Sequence, residues 1–272
     1  MRMSLLSKIW IYFLLLVTSA FVFFPVLYAF MISFMTGPEI IQGKFFPESI
    51  NFENYTKVFS RLPLMNYLLN SFIVSASVML GQLAVCSMAA YAFVFLKFKG
   101  RDFIFFLFIS TMMIPWEATM IPNVFTIRKL DWFNTYQGLT LPFFALAFGT
   151  FLLRQHFLTI PKELHEASQI AGLSRFAFFW RVVLPVSKTS LVTLGAYGFL
   201  TTWNMYLWPL LITTNQSVRT VQIGLKQLQS QEIATEWGVV MAGVIVVIIP
   251  TLLLLFLGQK QLQKGLSQGA LK

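Results

Sequence analysis

The chain has 272 residues, of which 57% are hydrophobic and only 11% are charged, and its formal net charge is +10. A soluble domain carries roughly 25% charged residues, so this chain has too few charges to cover a globular surface of its size. The composition excludes a nucleic-acid-binding domain and predicts a polytopic membrane protein, whose positive charge can follow from membrane topology.

Six apolar runs are long enough to cross a bilayer as helices, because about 20 apolar residues span the hydrocarbon core. They lie at about residues 9–35, 70–96, 103–126, 140–157, 186–212 and 237–257. The first run is too long for a signal peptide and lacks a small-residue cleavage site. The sequence therefore predicts an all-α polytopic membrane protein with six transmembrane helices, built as a single domain over residues 1–272.

The distribution of lysine and arginine orients these spans. Thirteen of the 20 cationic residues fall on the side that holds both termini, and seven fall on the opposite side. Cytoplasmic segments of membrane proteins carry an excess of lysine and arginine. We therefore expect both termini to be cytoplasmic, in a multi-pass membrane protein that contacts lipid along its spans.

Little in the chain is typical of an enzyme or a metalloprotein. The single cysteine, Cys86, excludes a cysteine-based metal cluster, and the two histidines, His156 and His165, are nine residues apart and do not share one helix face. No Walker A loop occurs, so the chain does not hydrolyse ATP through such a loop of its own. We expect a non-catalytic protein that binds no metal and no cofactor.

One acidic residue, Glu117, falls within or near a predicted span, in the segment 114–122 between two prolines. An acid inside a membrane is costly and suggests a function by default. The flanking prolines also allow Glu117 to lie in the outer water layer, because prolines free backbone groups that need water or other partners. A stand-alone secondary carrier or channel that uses Glu117 is therefore an alternative function.

The longest predicted cytoplasmic segment is the 158–185 loop, which reads as a helix, a turn and a second helix. Pro161 suits the first helical position, and Glu163 falls in the first turn, where the helix dipole favours acids. Gly172 permits a sharp turn, and a second helix starts near Ser174. The first helix carries a narrow apolar face, formed by Leu164, Ala167, Ile170 and Ala171. Such a helix can lie on the membrane or dock into a groove on a soluble partner.

Within this loop, residues 166–172 read Glu-Ala-Ser-Gln-Ile-Ala-Gly, and the loop ends in the pair Leu184-Pro185. This pattern resembles the EAA loop of ABC importer permeases, which has Glu-Ala-Ala, a glycine three residues later and a subsequent Leu-Pro pair. The chain departs from the family pattern at Ser168, Ala171 and Leu173, and keeps Glu166, Ala167 and Gly172.

The resemblance extends through most of the chain. Residues 134–142, 151–155, 203–210 and 261–272 resemble permeases of the carbohydrate-uptake type, similar to the smaller maltose permease. Residues 187–189 and 235–238 are more similar to the glycerol-3-phosphate permease branch. The resemblance implies an importer for a sugar, a polyol or a glycerol-3-phosphate-like solute.

The resemblance also implies partners. These are a second six-span permease forming a heterodimer, two ATPase subunits that hold ATP and Mg²⁺, and an extracytoplasmic solute-binding protein. The helix with the EAA motif is then expected to fit a cleft on the ATPase. The expected ATPase-coupling residues are Glu163, Glu166, Ala167, Gly172 and Arg175.

For the solute pathway, we expect side chains that combine aromatic faces with amide or carboxylate groups. The candidates are Glu117, Asn123, Trp203, Asn204 and Trp208. As an alternative, Trp208 before Pro209 fits an aromatic belt at the membrane interface. A phosphate ester prefers Arg or Lys at its site, and the spans offer neither near their middle. A phosphorylated solute is therefore expected to meet its basic partners in another subunit.

Overall fold

The computed structural model describes residues 5–231 and 236–270, and within these ranges the regular secondary structure is entirely helical. The α-helices are α1 (Leu5–Ile32), α2 (Gly37–Ile41), α3 (Glu53–Arg61), α4 (Leu64–Phe95), α5 (Arg101–Ser110), α6 (Trp116–Lys129), α7 (Tyr136–Thr140), α8 (Ala147–Phe157), α9 (Lys162–Ile170), α10 (Arg175–Phe178), α11 (Leu184–Val186), α12 (Lys188–Trp203), α13 (Leu207–Ile212), α14 (Val221–Gln231) and α15 (Trp237–Ala270). Short 3-10 turns lie at Thr111–Met113, Leu141–Phe143 and Gln216–Val218, and a π-helix lies at Phe179–Val183.

The helices account for up to six membrane spans, which confirms the predicted all-α polytopic class. Three single helices are long and apolar enough to cross a bilayer, at Leu6–Ile32, Leu64–Phe95 and Trp237–Phe256. Three more candidate spans are pairs of helices that are bent at a short break. These are Arg101–Met113 with Trp116–Lys129, bent by 99°; Tyr136–Phe143 with Ala147–Phe157, bent by 44°; and Arg175–Val186 with Lys188–Trp203, bent by 80°.

Three of the predicted spans are therefore not continuous helices, and the one over 140–157 is broken between Phe143 and Ala147. The prediction of one helix over 103–126 is wrong because Pro115 restricts the residue before it, and Ile114 is extended with φ −88° and ψ 115°. The prediction of one helix over 186–212 is wrong because α12 ends at Trp203 and α13 begins only at Leu207. Apolar composition marks a segment as membrane-embedded without showing that its helix is unbroken.

The chain divides into two compact units, one formed by Met1–Met65 with Gly224–Ile249 and the other by Asn66–Ile223 with Pro250–Lys272. In the first unit, the amide of Asn54 donates hydrogen bonds to the carbonyls of Ser33 (3.0 Å) and Met35 (2.8 Å) at the end of α1. Gly238 packs directly on that amide, since a Cβ there would lie 2.5 Å from Asn54 Nδ2. One buried amide thus joins three segments of this unit.

A second buried polar group in the first unit is the carboxylate of Glu39. It accepts hydrogen bonds from the backbone N–H (2.6 Å) and hydroxyl (2.7 Å) of Thr36 and from the backbone N–H of Glu48 (2.8 Å). The Thr36 contacts satisfy donors at the start of α2. Hydrogen bonds from the Thr36 and Glu48 backbones, together with the Thr36 hydroxyl and nearby Lys44, lower the pKa of Glu39 from 4.5 to about 2.

The second unit contains two apolar cores. The loop core packs α4 and α8 against α10 and the π-helix, and its members are Cys86, Ala90, Tyr91, Leu153, Phe157, Ile160, Phe178, Phe179, Val183 and Leu194. The tryptophan core packs α4 against α6, α7 and α13, and its members are Val74, Met120, Ile127, Leu139, Trp208 and Ile212. Helix α4 contributes side chains to both cores.

The break before α8 lies against α4, whose side chains contact the carbonyls there. The amide of Gln82 donates to the carbonyl of Phe143 (3.0 Å), and the thiol of Cys86 donates to the carbonyl of Leu146 (3.4 Å). Backbone groups inside a bilayer have no water to bond with, so neighbouring helices must supply their partners. Helix α4 therefore makes this bent span possible.

We predict that Glu39→Gln lowers the thermal unfolding midpoint at neutral pH, because an amide is a weaker acceptor than the carboxylate for the Thr36 and Glu48 donors. The pKa of Glu39 is lower in the folded protein, so its stabilisation is complete above pH 4.5 and is lost as the pH falls through about 2. The difference in midpoint between wild type and variant should shrink over that range. Glu48→Gln, at an exposed position, is the control, and an equal loss in both variants would contradict the prediction.

We also predict that Gly138→Ala lowers the free energy of unfolding by about 1–3 kcal/mol, as expected for overpacking. A Cβ at Gly138 would lie 2.3 Å from the backbone oxygen of Trp132, and the Gly138 carbonyl accepts the indole N–H of Trp208 (3.1 Å). Gly195→Ala is the matched control, because a Cβ there meets its neighbours at an ordinary 3.5 Å. Thermal unfolding in detergent compares the two, and an unchanged Gly138→Ala protein would refute the tight packing.

Candidate functional site

The 158–185 loop folds as two helices joined by a tight turn. Helix α9 begins at Lys162, so Pro161 lies just before the first helical position and does not occupy it as predicted; Gly172 follows the end of α9 with φ +70°. The N–H of Leu173 donates to the carbonyl of Ser168 (2.9 Å), and the N–H of Gly172 donates to that of Gln169 (3.0 Å). These two bonds form a Schellman motif, which needs the left-handed conformation that glycine adopts without strain.

Helix α10 starts directly after this turn. The hydroxyl of Ser174 accepts a hydrogen bond from the backbone N–H of Ala177 (3.2 Å), so Ser174 is the N-cap, as the sequence indicates. The chain then continues through the π-helix Phe179–Val183 and α11 to the 80° bend before α12. With both ends of the turn capped, α9 is held in a defined direction relative to α10.

One side of α9 and α10 is anchored to the loop core. The ring of His165 lies 4.9 Å from that of Phe178 and 5.7 Å from that of Phe95 on α4, centroid to centroid. Ser168 is buried and Phe178 belongs to the loop core. These contacts give His165 a packing role, and they fix the orientation of α9.

A contact with α4 that the sequence does not reveal also fixes the loop. The hydroxyl of Tyr91 donates a hydrogen bond to the carbonyl of Arg175 (2.8 Å), and its ring lies 5.1 Å from that of Phe179. The available signal in the sequence is a tyrosine within an apolar run, since a buried tyrosine hydroxyl usually has a hydrogen-bond partner. The identity of that partner depends on the tertiary structure.

The opposite side of α9 is exposed. Glu163, Glu166, Ala167 and Gly172 all lie on the surface, and Arg175 is exposed beside them. The predicted apolar face is not covered by the described part of the chain, and its Ile170 side chain is 89% exposed. A Cβ on Gly172 would meet no atom within 4 Å. The structure thus leaves all five predicted coupling residues exposed, three on α9, Gly172 in the turn that follows and Arg175 at the start of α10.

The predicted pathway tryptophans are packed inside the second unit. Trp208 is fully buried in the tryptophan core, where its ring lies edge-on to Trp116 (5.6 Å between centroids) and donates to the Gly138 carbonyl. Trp203 is 2% exposed and stacks on Phe199 at 5.8 Å. In this conformation both rings pack against neighbouring side chains, and neither presents a free face to solvent or lipid.

The other pathway candidates are more accessible. Asn204 is exposed at the end of α12, where its amide donates to the carbonyl of Leu200 (2.8 Å). Glu117 is exposed in the first turn of α6, directly after the 99° bend. Asn123 lies one and a half turns further along α6 and lines a cavity of about 260 Å³, together with Thr126, Ile127, Leu130, Trp132, Leu141 and Pro142. The structure therefore does not gather the five candidates into one pocket.

Comparisons with known proteins agree with the resemblance in the loop. The family described as "Binding-protein-dependent transport system inner membrane component" matches residues 82–268. The sn-glycerol-3-phosphate transport system permease protein UgpE of Yersinia pestis bv. Antiqua (strain Antiqua) is 35% identical over 262 residues, which are 93% of each chain. UgpE of Brucella abortus (strain 2308) is 38% identical over 253 residues, covering 89% of this chain and 90% of the relative.

Solved structures share the fold. A bacterial ABC transporter involved in the import of the acidic polysaccharide alginate contains a chain that aligns with a TM-score of 0.85 at 23% identity, covering 96% of this chain and 99% of that one. A second structure, of the bacterial alginate ABC transporter in complex with an alginate pentasaccharide-bound periplasmic protein, aligns with a TM-score of 0.64 at 13% identity, over 94% of this chain and 96% of that one. These likenesses confirm the permease fold.

The matched family includes α8, the 158–185 loop and α12, and the full-length relatives cover the remaining helices. The chain therefore belongs to the family of inner membrane components of binding-protein-dependent transport systems, as a permease, which is a transport subunit.

Proposed function

We propose that this chain is one of two permease subunits in an ATP-driven importer. The chain forms a single transmembrane domain and pairs with a second, different permease. The observation that carries the proposal is the exposed side of α9, where an apolar and acidic surface projects from a loop whose other side is anchored in the core. Such a surface suits a soluble partner with a cleft. In the proposal that partner is one of two ATPase subunits, which bind ATP and Mg²⁺.

The proposed coupling follows from the geometry of the loop. Glu163 and Glu166 are exposed and form no ion pair within the described residues, so their carboxylates are free to pair with basic groups of the ATPase. Ala167 and Gly172 present little side chain, which permits close approach, and Arg175 borders the same surface. When the ATPase dimer closes, α9 moves with it, and the capped turn passes that movement to α10 and the bend before α12.

For the solute, we propose glycerol-3-phosphate or a related sugar or polyol. The support is the 35–38% identity to UgpE proteins over about nine-tenths of the chain. Asn204, Glu117 and Asn123 are the polar side chains proposed to face the pathway, whereas Trp203 and Trp208 are buried against other aromatic rings. A phosphate group meets its cationic partners in the second permease or in the extracytoplasmic binding protein.

We further propose that both termini face the cytoplasm. The support is the excess of cationic residues on that side, thirteen against seven. The 158–185 loop is then cytoplasmic and accessible to the ATPase. Glu117 lies exposed at the bend of the third candidate span, and membership in a binding-protein-dependent family removes the basis for a stand-alone carrier that uses it.

The direct test is affinity purification of the tagged chain from its native membrane, followed by mass spectrometry. We expect an ATPase with a Walker A loop and a second six-span permease to copurify. The recovered complex, with its binding protein, should take up sn-glycerol-3-phosphate into vesicles in an ATP-dependent way. A chain that purifies alone and transports without ATP would contradict the proposal.

We predict that Gly172→Asp abolishes coupling. The added side chain and charge obstruct the close approach of the ATPase, and a loss of at least about 1.4 kcal/mol of docking energy corresponds to a tenfold loss of uptake. Uptake and substrate-stimulated ATP hydrolysis in reconstituted vesicles measure the effect.

The matched control for this variant is Gly43→Asp. Gly43 has the same φ of +70°, and a Cβ there also meets no atom within 4 Å, but it lies in the first unit after α2. Both substitutions carry the same conformational cost. Equal uptake by the two variants would show that Gly172 is not part of the docking surface.

A further inference from the structure

Helix α4 differs from the other spans of the second unit because it is unbroken. It runs for 32 residues from Leu64 to Phe95, which is about 48 Å at 1.5 Å per residue. The third, fourth and fifth candidate spans each contain a bend of 44° or more. A bend can absorb a displacement, whereas a continuous helix carries it along its length.

At one end, α4 contacts the 158–185 loop directly. The Tyr91 hydroxyl donates to the Arg175 carbonyl at 2.8 Å, and the Tyr91 ring packs on Phe95 and Phe179. The covalent route from the loop to α12 passes through a π-helix and an 80° bend. The hydrogen bond from Tyr91 connects the loop to α4 without passing through the π-helix or the 80° bend.

Near its other end, α4 is fixed to the segment 213–221, which follows α13. The amide of Asn70 donates to the carbonyls of Ser217 (2.8 Å) and Arg219 (2.9 Å), and its oxygen accepts the hydroxyl of Tyr136 (2.6 Å). One residue further, the hydroxyl of Ser71 accepts the backbone N–H of Val221 (2.8 Å). Both residues are at least 95% buried. Asn70 and Tyr91 are about 32 Å apart along the helix.

Between these ends, α4 is braced by Gln82. The amide nitrogen of Gln82 donates to the Phe143 carbonyl. Its amide oxygen packs against Gly198 of α12, so closely that a Cβ on Gly198 would lie only 2.2 Å from that oxygen. The missing side chain at Gly198 therefore lets α12 approach α4 closely. These contacts limit independent sliding of α4 against its neighbours.

From these contacts we infer that α4 is the element that transmits movement between the 158–185 loop and the segment 213–221, with Tyr91 and Asn70 as its positioning residues. The inference rests on the proposed function, because the movement starts with docking of the loop on the ATPase. On the proposed topology, the segment 213–221 faces the extracytoplasmic side, where the binding protein delivers solute. Neither residue touches ATP or solute.

The test uses the complete complex with a fluorescent label at Gln216→Cys, an exposed position in the segment 213–221. The native cysteine, Cys86, is fully buried and does not compete for the label. The probe is ATP with vanadate, which traps the closed ATPase, added together with the binding protein and sn-glycerol-3-phosphate. We expect the label to respond to trapping in the wild-type background.

In this background, Tyr91→Phe removes one hydroxyl and keeps the ring. A neutral hydrogen bond contributes about 1 kcal/mol, so we expect the response of the label to fall about three- to tenfold. The amount of copurified ATPase should be unchanged, and the thermal midpoint should fall only slightly, as expected for the loss of one hydrogen bond. Tyr197→Phe is the matched control, because the Tyr197 hydroxyl has no hydrogen-bond partner within the described chain and its removal should leave the response unaltered.

The second arm is Asn70→Ala, at the other end of α4. We expect Asn70→Ala to reduce the response as Tyr91→Phe does, and the double variant to lose little more than either single one, because both changes interrupt one route. A full response in Tyr91→Phe, or losses that multiply in the double variant, would overturn the inference. A wild-type complex that lacks an ATPase would instead refute the proposed function, which separates the two failures.

Discussion

Every backbone N–H and C=O group inside a bilayer needs a partner within the protein, and the second unit of this permease depends on meeting that requirement. Its fourth span is bent, and α4 contacts the break with the Gln82 amide and the Cys86 thiol. Near Trp208, the indole N–H donates to the Gly138 carbonyl. These polar side chains of the second unit therefore supply partners for backbone groups beside its breaks and short helices.

The two sides of the 158–185 loop also differ in the partners they have within the protein. Aromatic rings and one tyrosine hydroxyl attach the inner side to α4, while the outer side keeps an exposed isoleucine, two free carboxylates and a glycine. A folded chain would bury Ile170 if that face had only its own protein to contact, since an exposed apolar side chain gains nothing in water. Membership in a family of transport-system components supports the proposal that a partner covers this surface.

Several features were predictable from local residues alone. Apolar runs indicated a polytopic membrane protein, which the three to six candidate spans confirm; Gly172 marked the turn and Ser174 marked the start of α10, because hydropathy and capping act over a few residues. The bends were not predictable in the same way. Pro115 indicates a break, but its angle depends on the packing of the two helices. The burial of Trp203 and Trp208, which the sequence analysis assigned to the solute pathway, likewise follows from packing against residues such as Phe199 and Trp116.

The sequence by itself determined the membrane class and the family, since each is encoded in composition or in a contiguous motif, and the same motif is the basis for the proposed coupling residues. Only the tertiary structure decided which side of α9 is exposed, how the bent spans satisfy their backbone, and that Tyr91 bonds to Arg175 across 84 residues of chain. The physical reason is range: hydropathy and turn chemistry depend on neighbours along the chain, whereas burial and hydrogen-bond partners depend on segments that meet only after folding.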